Sequence, residues 1–245
     1  LCLLIAGVAW ARELQRQGVD PQMVSGLSIG AFPAAVIAGA LDFASALRLV
    51  ALRGDLMEQA YPEGYGLTAI MGLTRPRVET LMQGHEVYLA NLNAETQFVI
   101  AGRDEAMAEV AQLALRAGAS KAQRLAVSVP SHCALLDKPA AELAKAFAGA
   151  SLRRPWCAYL SGSTARVLWD PQRIADDLAM NMARPVHWQE AMVAADERDA
   201  RLAIEMPPGG VLTCLTRQAG WRGETIALER SGLDVARHLA QRLSD

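Results

Sequence analysis

Apolar and polar residues follow helical and strand periods in turn over the first sixty positions. The pattern predicts an amphipathic helix over residues 1–17, a turn at Gly18 and a short strand over residues 23–25. A sharp turn follows, and then two helices over residues 31–40 and 43–60. Strands that alternate with helices favour an α/β fold, in which helices cover a sheet.

The middle of the chain carries a second pattern, in which strands outnumber helices. Strands are predicted at 67–72, 87–93, 97–102 and 121–127, and helices at 75–82 and 105–117. This β-α-β-β-α-β order is that of a ferredoxin-like unit. Asn93 and Glu95 supply polar turn residues between the two middle strands.

The remainder of the chain returns to a helix-rich alternation. Helices are predicted at 135–148, 171–180, 188–196 and 211–217, and strands near 157–160 and at 202–205. We therefore predict a large α/β domain with a hydrolase-like parallel sheet core, formed by residues 1–62 and 128–245. A small ferredoxin-like subdomain, residues 63–127, is inserted into it. A chain of 245 residues can bury a core of this size.

Composition excludes several classes of function. The net charge is -2 and only 5% of residues are aromatic, which argues against a nucleic-acid-binding surface. The four cysteines lie far apart and form no CxxC pair, which argues against a disulfide framework and a zinc site and indicates a reducing, cytoplasmic setting. The apolar run at residues 1–10 is too short to span a bilayer and lacks the features of a signal peptide.

A candidate nucleophile lies in Gly26-Leu27-Ser28-Ile29-Gly30, a GxSxG sequence between a predicted strand and an Ala-rich helix. In this context the serine sits on a tight strand-to-helix turn that exposes its hydroxyl. The helix N-terminus favours negative charge, so the N–H of Ile29 is the candidate oxyanion donor. The alternative is a Gly/Ser turn without chemistry.

A serine nucleophile needs a base, and the chain offers four histidines, at positions 85, 132, 187 and 238. His132 follows a predicted strand that ends at Pro130, and polar groups commonly emerge at strand ends in α/β folds. Position alone favours His132 without excluding the others, and a structural role is the alternative for each.

A candidate anion anchor is Arg53, late in an otherwise apolar helix. A guanidinium there either reaches solvent or holds an anion such as a carboxylate, with which it forms two parallel hydrogen bonds. Taken alone, this position favours contact with solvent, and only the candidate nucleophile Ser28 elsewhere in the sequence strengthens the case for an anchor.

Five stretches resemble the malonyl-CoA:acyl-carrier-protein transacylase family in order and approximate spacing. They are Gly26–Gly30, Ala51–Gly54, Ser128–His132, Asn91–Asn93 with Gln97–Gly102, and Glu205–Gly209 with Leu212–Thr213. The resemblance covers Ser28 to about Arg217. Several motifs in one order are far more specific than a single GxSxG sequence.

The resemblance implies a malonyltransferase with a Ser–His dyad and a ping-pong mechanism. Ser28 would take the malonyl group from malonyl-CoA, with His132 as base and acid. The backbone carbonyl of Asn181 would orient the imidazole, and Arg53 would bind the malonyl carboxylate. Asn91 and Asn93 would line the cleft beside the small subdomain. The resemblance implies no metal and no bound cofactor.

Within this family the sequence is most similar to the malonate decarboxylase epsilon subunit. That similarity implies an acyl carrier protein with a CoA-derived or phosphopantetheine thiol as acceptor, and other decarboxylase subunits as further partners. The alternatives are a transacylase of fatty-acid or polyketide synthesis and, from another class, a serine hydrolase. No nucleic-acid or membrane partner is expected.

Two departures from the family pattern stand out. Leu27 occupies the position before the nucleophile, where the family usually has histidine. The family's N-terminal strand and its Pro-Gly-Gln-Gly loop, which supplies a second oxyanion donor, have no counterpart here, so we expect residues upstream to be missing.

Because carrier proteins are usually acidic, a basic patch at the cleft mouth is also expected. Its candidates are Arg124, Arg153, Arg154, Arg217 and Arg222, with a solvated surface as the alternative.

Overall fold

The computed structural model describes residues 1–244. Its helices are α1 (Cys2–Arg16), α2 (Ala31–Ile37), α3 (Phe43–Ala60), α4 (Arg75–Met82), α5 (Asp104–Arg116), α6 (Asp137–Ala146), α7 (Pro171–Met180), α8 (Trp188–Asp196), α9 (Val211–Gln218) and α10 (Leu228–Ser244). Its strands are β1 (Met23–Ser25), β2 (Tyr65–Met71), β3 (Val87–Ala94), β4 (Gln97–Arg103), β5 (Lys121–Arg124), β6 (Ala158–Leu160), β7 (Val167–Leu168), β8 (Leu202–Glu205) and β9 (Glu224–Ala227).

Two short sheets belong to the parts of the chain that flank the middle segment. In the first, β1 pairs in parallel with β6, and β7 adds to β6 in the antiparallel direction. In the second, β8 and β9 pair in parallel. Helices pack around these strands, which confirms the predicted α/β class.

The largest buried cluster lies among the helices that surround β1 and β6. Its fully buried side chains include Phe32, Leu136, Leu143, Ile174 and Leu178, which come from α2, α7 and the region of α6. Burial of side chains of this size is the dominant favourable term in folding. This core therefore supports the strand ends and helix ends at which the polar candidate residues emerge.

The middle segment forms a four-stranded antiparallel sheet in the order β3-β4-β2-β5. One face packs against α4 and α5 through a buried cluster that includes Ile70, Ile100 and Met107. The other face, with Val99 and Ala101, packs against Cys133, the residue after His132. The predicted β-α-β-β-α-β order is thus present. The domain bounds at 62/63 and 127/128 stay a prediction.

The edge strand β3 joins this sheet to the rest of the chain. The N–H of Leu92 donates to the carbonyl of Val186 at 2.8 Å, and the N–H of Val186 donates to the carbonyl of Ala90 at 2.8 Å. These bonds form a parallel bridge between Asn91 and Val186. Backbone pairing of this kind sets the position of β3 relative to the segment that follows α7.

The sequence pattern predicted several elements with the observed bounds, including α3, α4, α7, α8, β1 and β8. It missed β7 and β9. Two residues are too few to show an alternation in β7, whereas β9 has the same length as β8, which was predicted. The predicted strand at 121–127 ends earlier, at Arg124, and the helix at 31–40 ends at Ile37. Among the described residues, no helix has the length and apolar character needed to cross a membrane.

Candidate active site

Ser28 lies on a tight turn between β1 and α2, as the GxSxG sequence predicts. It begins a short 3-10 helix, Ser28–Gly30, and its φ of 54° falls in the left-handed region that non-glycine residues rarely adopt. A Cβ atom at Gly26 would lie 2.0 Å from the carbonyl carbon and oxygen of Gly30. Only glycine therefore allows the strand to pass this close to the start of the helix.

His132 is the histidine that reaches Ser28. Its Nε2 lies 2.8 Å from Ser28 Oγ, although 104 residues separate the two along the chain. His132 is 2% exposed and has a φ of 65°, so both members of the pair have a left-handed backbone. Strained backbone of this kind persists only where surrounding contacts hold it, and it clusters at functional sites.

The opposite side of the His132 ring contacts the end of α7. Nδ1 lies 2.9 Å from the carbonyl oxygen of Asn181. Because a carbonyl can only accept, this contact assigns the proton to Nδ1 and leaves Nε2 free to accept from the serine hydroxyl. The N–H of His132 also donates to the carbonyl of Met182 at 2.6 Å. Two neighbouring carbonyls therefore hold both the ring and the backbone of this residue.

Sequence reasoning did not identify the role of Met182. A backbone carbonyl is present at every position, so residue type carries no signal that could have found it.

Arg53, on α3, also lies beside Ser28. Its Nη2 lies 3.2 Å from Ser28 Oγ, and the residue is only 6% exposed. Within the part of the chain that the structure describes, Arg53 makes no salt bridge, and its buried Nε has no hydrogen-bond partner. Burial lowers the pKa of Arg53 to about 10, so the guanidinium stays charged at neutral pH. A buried charge without a counter-ion is costly, which agrees with the predicted anion anchor. That role stays a prediction.

The same burial keeps His132 neutral. Desolvation is the main cause that lowers the pKa of His132 to about 4, and the positive charge of Arg53 acts in the same direction. The imidazole is therefore unprotonated at neutral pH. It can accept a proton from Ser28, which is the property that a general base requires.

The N–H of Ile29 lies in the first turn after Ser28, where helical N–H groups have no acceptor in a preceding turn. This placement agrees with the predicted oxyanion donor. Its catalytic role stays a prediction.

Asn91 and Asn93 are buried on β3, each 5% exposed. The structure shows no hydrogen bond from either side chain to Ser28, His132 or Arg53. The Oδ1 atom of Asn93 is buried without a partner among the described residues. Asn91 connects to the site through the backbone, because it bridges Val186 five residues after Asn181. A contact of either asparagine with substrate stays a prediction.

The other histidines lie elsewhere. Nδ1 of His85 is 3.2 Å from Glu109, and Nδ1 of His187 is 3.2 Å from Glu190. His238 lies on α10. No carboxylate contacts His132 among the described residues. A serine hydrolase would need such an acid, and Asp55, two residues after Arg53 on α3, is exposed.

Three of the five arginines of the predicted basic patch have hydrogen-bond or ion-pair partners within the chain. Arg124 donates to the carbonyls of Tyr65, Leu67, Leu125 and Val127 and pairs with Asp104. Arg217 donates to the Thr225 carbonyl, and Arg222 pairs with Asp196. These three guanidinium groups serve contacts within the chain, so a carrier-binding role for the patch stays a prediction.

No candidate metal centre accompanies the site. Across residues 1–244 the structure contains no group of three or more metal-ligating side chains. Two surface cavities of about 310 and 320 Å³ are lined by residues around Trp169 and around Phe98, and neither includes Ser28, His132 or Arg53. Hydrogen-bond geometry rather than cavity size defines the candidate site, since a base must first lie within reach of its proton.

Comparisons with known proteins place this geometry in context. Residues 1–231 match the family described as the acyl transferase domain. The malonyl CoA-acyl carrier protein transacylase of Escherichia coli is 37% identical over 222 residues, which cover 88% of this chain and 72% of that protein.

Solved structures give the same picture. The malonyl CoA-acyl carrier protein transacylase of Coxiella burnetii superimposes with a TM-score of 0.91 at 32% identity, covering 99% of this chain and 78% of that one. A malonyl-transacylase solved in complex with a type II PKS acyl-carrier protein has a TM-score of 0.89 at 34% identity, covering 96% of this chain and 78% of that one.

Proposed function

The chain belongs to the acyl transferase domain family, and on this basis we propose that it transfers a malonyl group from malonyl-CoA to the thiol of an acyl carrier protein. One observation carries the proposal. The unpaired, buried guanidinium of Arg53 lies beside a serine hydroxyl that is hydrogen-bonded to a neutral imidazole. This arrangement provides a nucleophile, a base and a site for an anion within one cluster.

In the first half of the reaction, Ser28 Oγ attacks the thioester carbonyl while His132 Nε2 takes the hydroxyl proton. In this proposal the N–H of Ile29 donates to the oxyanion, an interaction worth about 3–4 kcal/mol in such sites. When the tetrahedral intermediate collapses, the C–S bond breaks and the CoA thiolate takes the proton from His132. The products are free CoA and a malonyl ester on Ser28.

The second half runs in the opposite sense with a different thiol. His132, neutral again, takes the proton of the carrier thiol, and the thiolate attacks the ester carbonyl. The ester C–O bond breaks, and Ser28 recovers its proton from the imidazolium. The Asn181 carbonyl keeps the proton on Nδ1 in both halves and so holds the ring in the productive tautomer.

The position of Arg53 supports a short dicarboxylic acyl group. In a malonyl group a single methylene separates the carboxylate from the carbonyl that Ser28 attacks. Arg53 Nη2 contacts Ser28 Oγ directly, so only a carboxylate close to the reacting carbon can reach this guanidinium without moving the helix. Bidentate pairing with a carboxylate would satisfy the buried Nε of Arg53, which has no partner among the described residues.

The identity of the carrier has two candidates. The similar proteins are named transacylases that act with acyl carrier protein, and one is solved together with such a carrier. They favour an acyl carrier protein of fatty-acid or polyketide synthesis. The carrier subunit of malonate decarboxylase, which the sequence resemblance suggested, is the second candidate, with the other decarboxylase subunits as further partners.

Intact-protein mass spectrometry after incubation with malonyl-CoA tests the proposal. A malonyl adduct should form on the wild-type chain and be absent from Ser28→Ala. Addition of the two carrier types in separate reactions should discharge the adduct, and the faster carrier identifies the acceptor. An adduct that persists in Ser28→Ala would refute Ser28 as nucleophile, and hydrolysis of malonyl-CoA without transfer would support the serine hydrolase instead.

A further inference from the structure

A partly buried carboxylate lies close to the candidate site without touching any of its reacting atoms. Asp177, in the last turns of α7, accepts hydrogen bonds from two side chains at the end of β6. Tyr159 Oη donates to Oδ2 at 2.9 Å, and Ser161 Oγ donates to Oδ1 at 2.6 Å. Both donors are completely buried. Burial raises the pKa of Asp177, against the effect of its hydroxyl donors, so placing a carboxyl group here has a cost.

Ser161 also forms hydrogen bonds with the loop between β6 and β7. Its Oγ accepts from the N–H groups of Ser163 at 3.2 Å and Thr164 at 3.1 Å. The N–H of Ala165 donates to the Ser161 carbonyl at 3.0 Å. One hydroxyl thus organises residues 161–165, which we call the 161–165 loop, and Asp177 orients that hydroxyl.

The 161–165 loop packs between the two halves of the site. On one side, a Cβ atom at Gly162 would lie 3.3 Å from the carbonyl oxygen of Gly26, so the loop backbone packs directly against the Ser28 turn. On the other side, the Gly162 carbonyl accepts from the N–H of His187 at 2.7 Å. His187 follows the segment whose Asn181 carbonyl holds His132.

Asp177 also lies four residues before Asn181, one helical turn away on the same face of the chain. It therefore connects the element that holds His132 to the loop that supports the turn carrying Ser28. Displacement of either half would change the 2.8 Å contact between His132 Nε2 and Ser28 Oγ. Errors of about 1 Å in such contacts can lower rates about a hundredfold.

We propose that Asp177 is a positioning residue, which acts through Ser161 and the 161–165 loop to hold the Ser28 turn and the Asn181–His132 contact in register. This inference rests on the proposed malonyl transfer. It assigns Asp177 no contact with substrate.

Two hydroxyl deletions separate this role from general stabilisation. Ser161→Ala removes the hydrogen bond that connects Asp177 to the 161–165 loop. Tyr159→Phe removes the other hydrogen bond to Asp177, which has no connection to that loop. Each takes one hydrogen bond from Asp177. We expect Ser161→Ala and Asp177→Ala to lower kcat for malonyl transfer about tenfold, with the KM for malonyl-CoA changed less than about threefold. Tyr159→Phe should keep a kcat within about twofold of wild type.

Two further variants complete the comparison. Asp177→Asn keeps a carbonyl acceptor for Ser161 and offers its amide to Tyr159, so it should restore most of kcat. Asp176→Ala, on the exposed side of α7, removes only a contact with Gln172 and should have no effect. If Ser161→Ala does not fold, Ser161→Cys replaces it, since a thiol keeps the volume but bonds weakly.

The decisive measurement is the single-turnover rate of malonyl-Ser28 formation on variants shown to be folded by circular dichroism. Equal single-turnover rates for Ser161→Ala, Asp177→Ala and wild type would overturn the positioning role, even if the melting temperatures fall. So would equal losses in Ser161→Ala and Tyr159→Phe. A wild-type chain that forms no malonyl adduct with the intact site would instead contradict the proposed function.

Discussion

Nη2 of Arg53 lies 3.2 Å from Oγ of Ser28, and this guanidinium has no carboxylate partner among the described residues. A buried cation beside a nucleophile destabilises the empty protein and becomes favourable once an anion binds it. The proposed malonyl transfer would supply such an anion, namely the malonyl carboxylate.

Arg53→Met should separate these two effects. Methionine keeps the apolar stem and removes the charge, so malonyl transfer should fall about a hundredfold through loss of a buried ion pair with the ligand. Acetyl transfer should fall much less, because acetyl has no carboxylate. Paired kcat/KM measurements with malonyl-CoA and acetyl-CoA check this prediction. Equal losses for both substrates would remove the anchor role.

The same variant should be more thermostable than wild type in the absence of substrate. Loss of the guanidinium removes a desolvation cost that no counter-ion among the described residues offsets, and it removes one hydrogen bond to Ser28. Differential scanning calorimetry measures the change in melting temperature. A lower melting temperature for Arg53→Met would contradict the prediction and show that the contact with Ser28 outweighs the desolvation cost.

The pH dependence of the rate should report the environment of His132. Its pKa is lowered to about 4, and the imidazole accepts a proton only above that value. The acidic limb of kcat/KM should therefore lie near pH 4, well below the ordinary histidine value. With acetyl-CoA as substrate, Arg53→Met should move this limb to higher pH, since the charge of Arg53 contributes to the lowered pKa. An unchanged limb in the variant would contradict that coupling.

The stability of the chain should depend on pH through the same residue. The folded pKa of His132 is lower than its ordinary value of 6.5, so the unfolded chain binds the proton first between pH 6.5 and about pH 4. Stability due to this group is complete above pH 6.5 and is lost as the pH falls through that window, by up to about 3 kcal/mol. Urea unfolding at several pH values, compared between wild type and His132→Gln, isolates this contribution. Parallel curves for the two proteins would contradict the prediction.

Asn181→Ala should keep most of the activity, although Asn181 contacts the candidate base. The contact is made by the backbone carbonyl, which alanine retains, and the side-chain Oδ1 is buried without a partner among residues 1–244. We expect malonyl transfer within about fivefold of wild type. A loss as large as that of His132→Ala would indicate that the side chain has its own role.

Gly26→Ala and Gly30→Ala should differ sharply, although both glycines belong to the GxSxG sequence. A Cβ at Gly26 would lie 2.0 Å from the Gly30 backbone. A Cβ at Gly30 would have no neighbour within 4 Å, and the φ of Gly30, -63°, is one that alanine adopts readily. Gly26→Ala should lower malonyl transfer about a hundredfold or more, because the Ser28 turn must move. Gly30→Ala should keep near-normal rates. Similar losses in both variants would disagree with the geometry of this turn.

Much of this protein could be predicted from the sequence alone. Local periodicity predicted the helices that contain Arg53 and Asp177 with their observed bounds, because the apolar period of an amphipathic helix is recognisable within about ten residues. The GxSxG sequence gave the Ser28 turn, because only glycine tolerates the close approach at Gly26. Motif order also gave the family to which the chain belongs.

Local pattern left the four histidines open, and only the family resemblance implied His132. The tertiary structure shows its contact with Ser28, which leaves no periodic trace because it spans 104 residues. The tertiary structure also decided whether the Arg53 guanidinium is buried or reaches solvent. Both are possible from the same helical position, and the neighbouring elements that pack around it determine which one occurs. The Asn181 carbonyl and the contact from Asp177 through Ser161 depend on where backbone and hydroxyl groups meet in space. Residue type records local preference, whereas these contacts arise only when distant elements pack together.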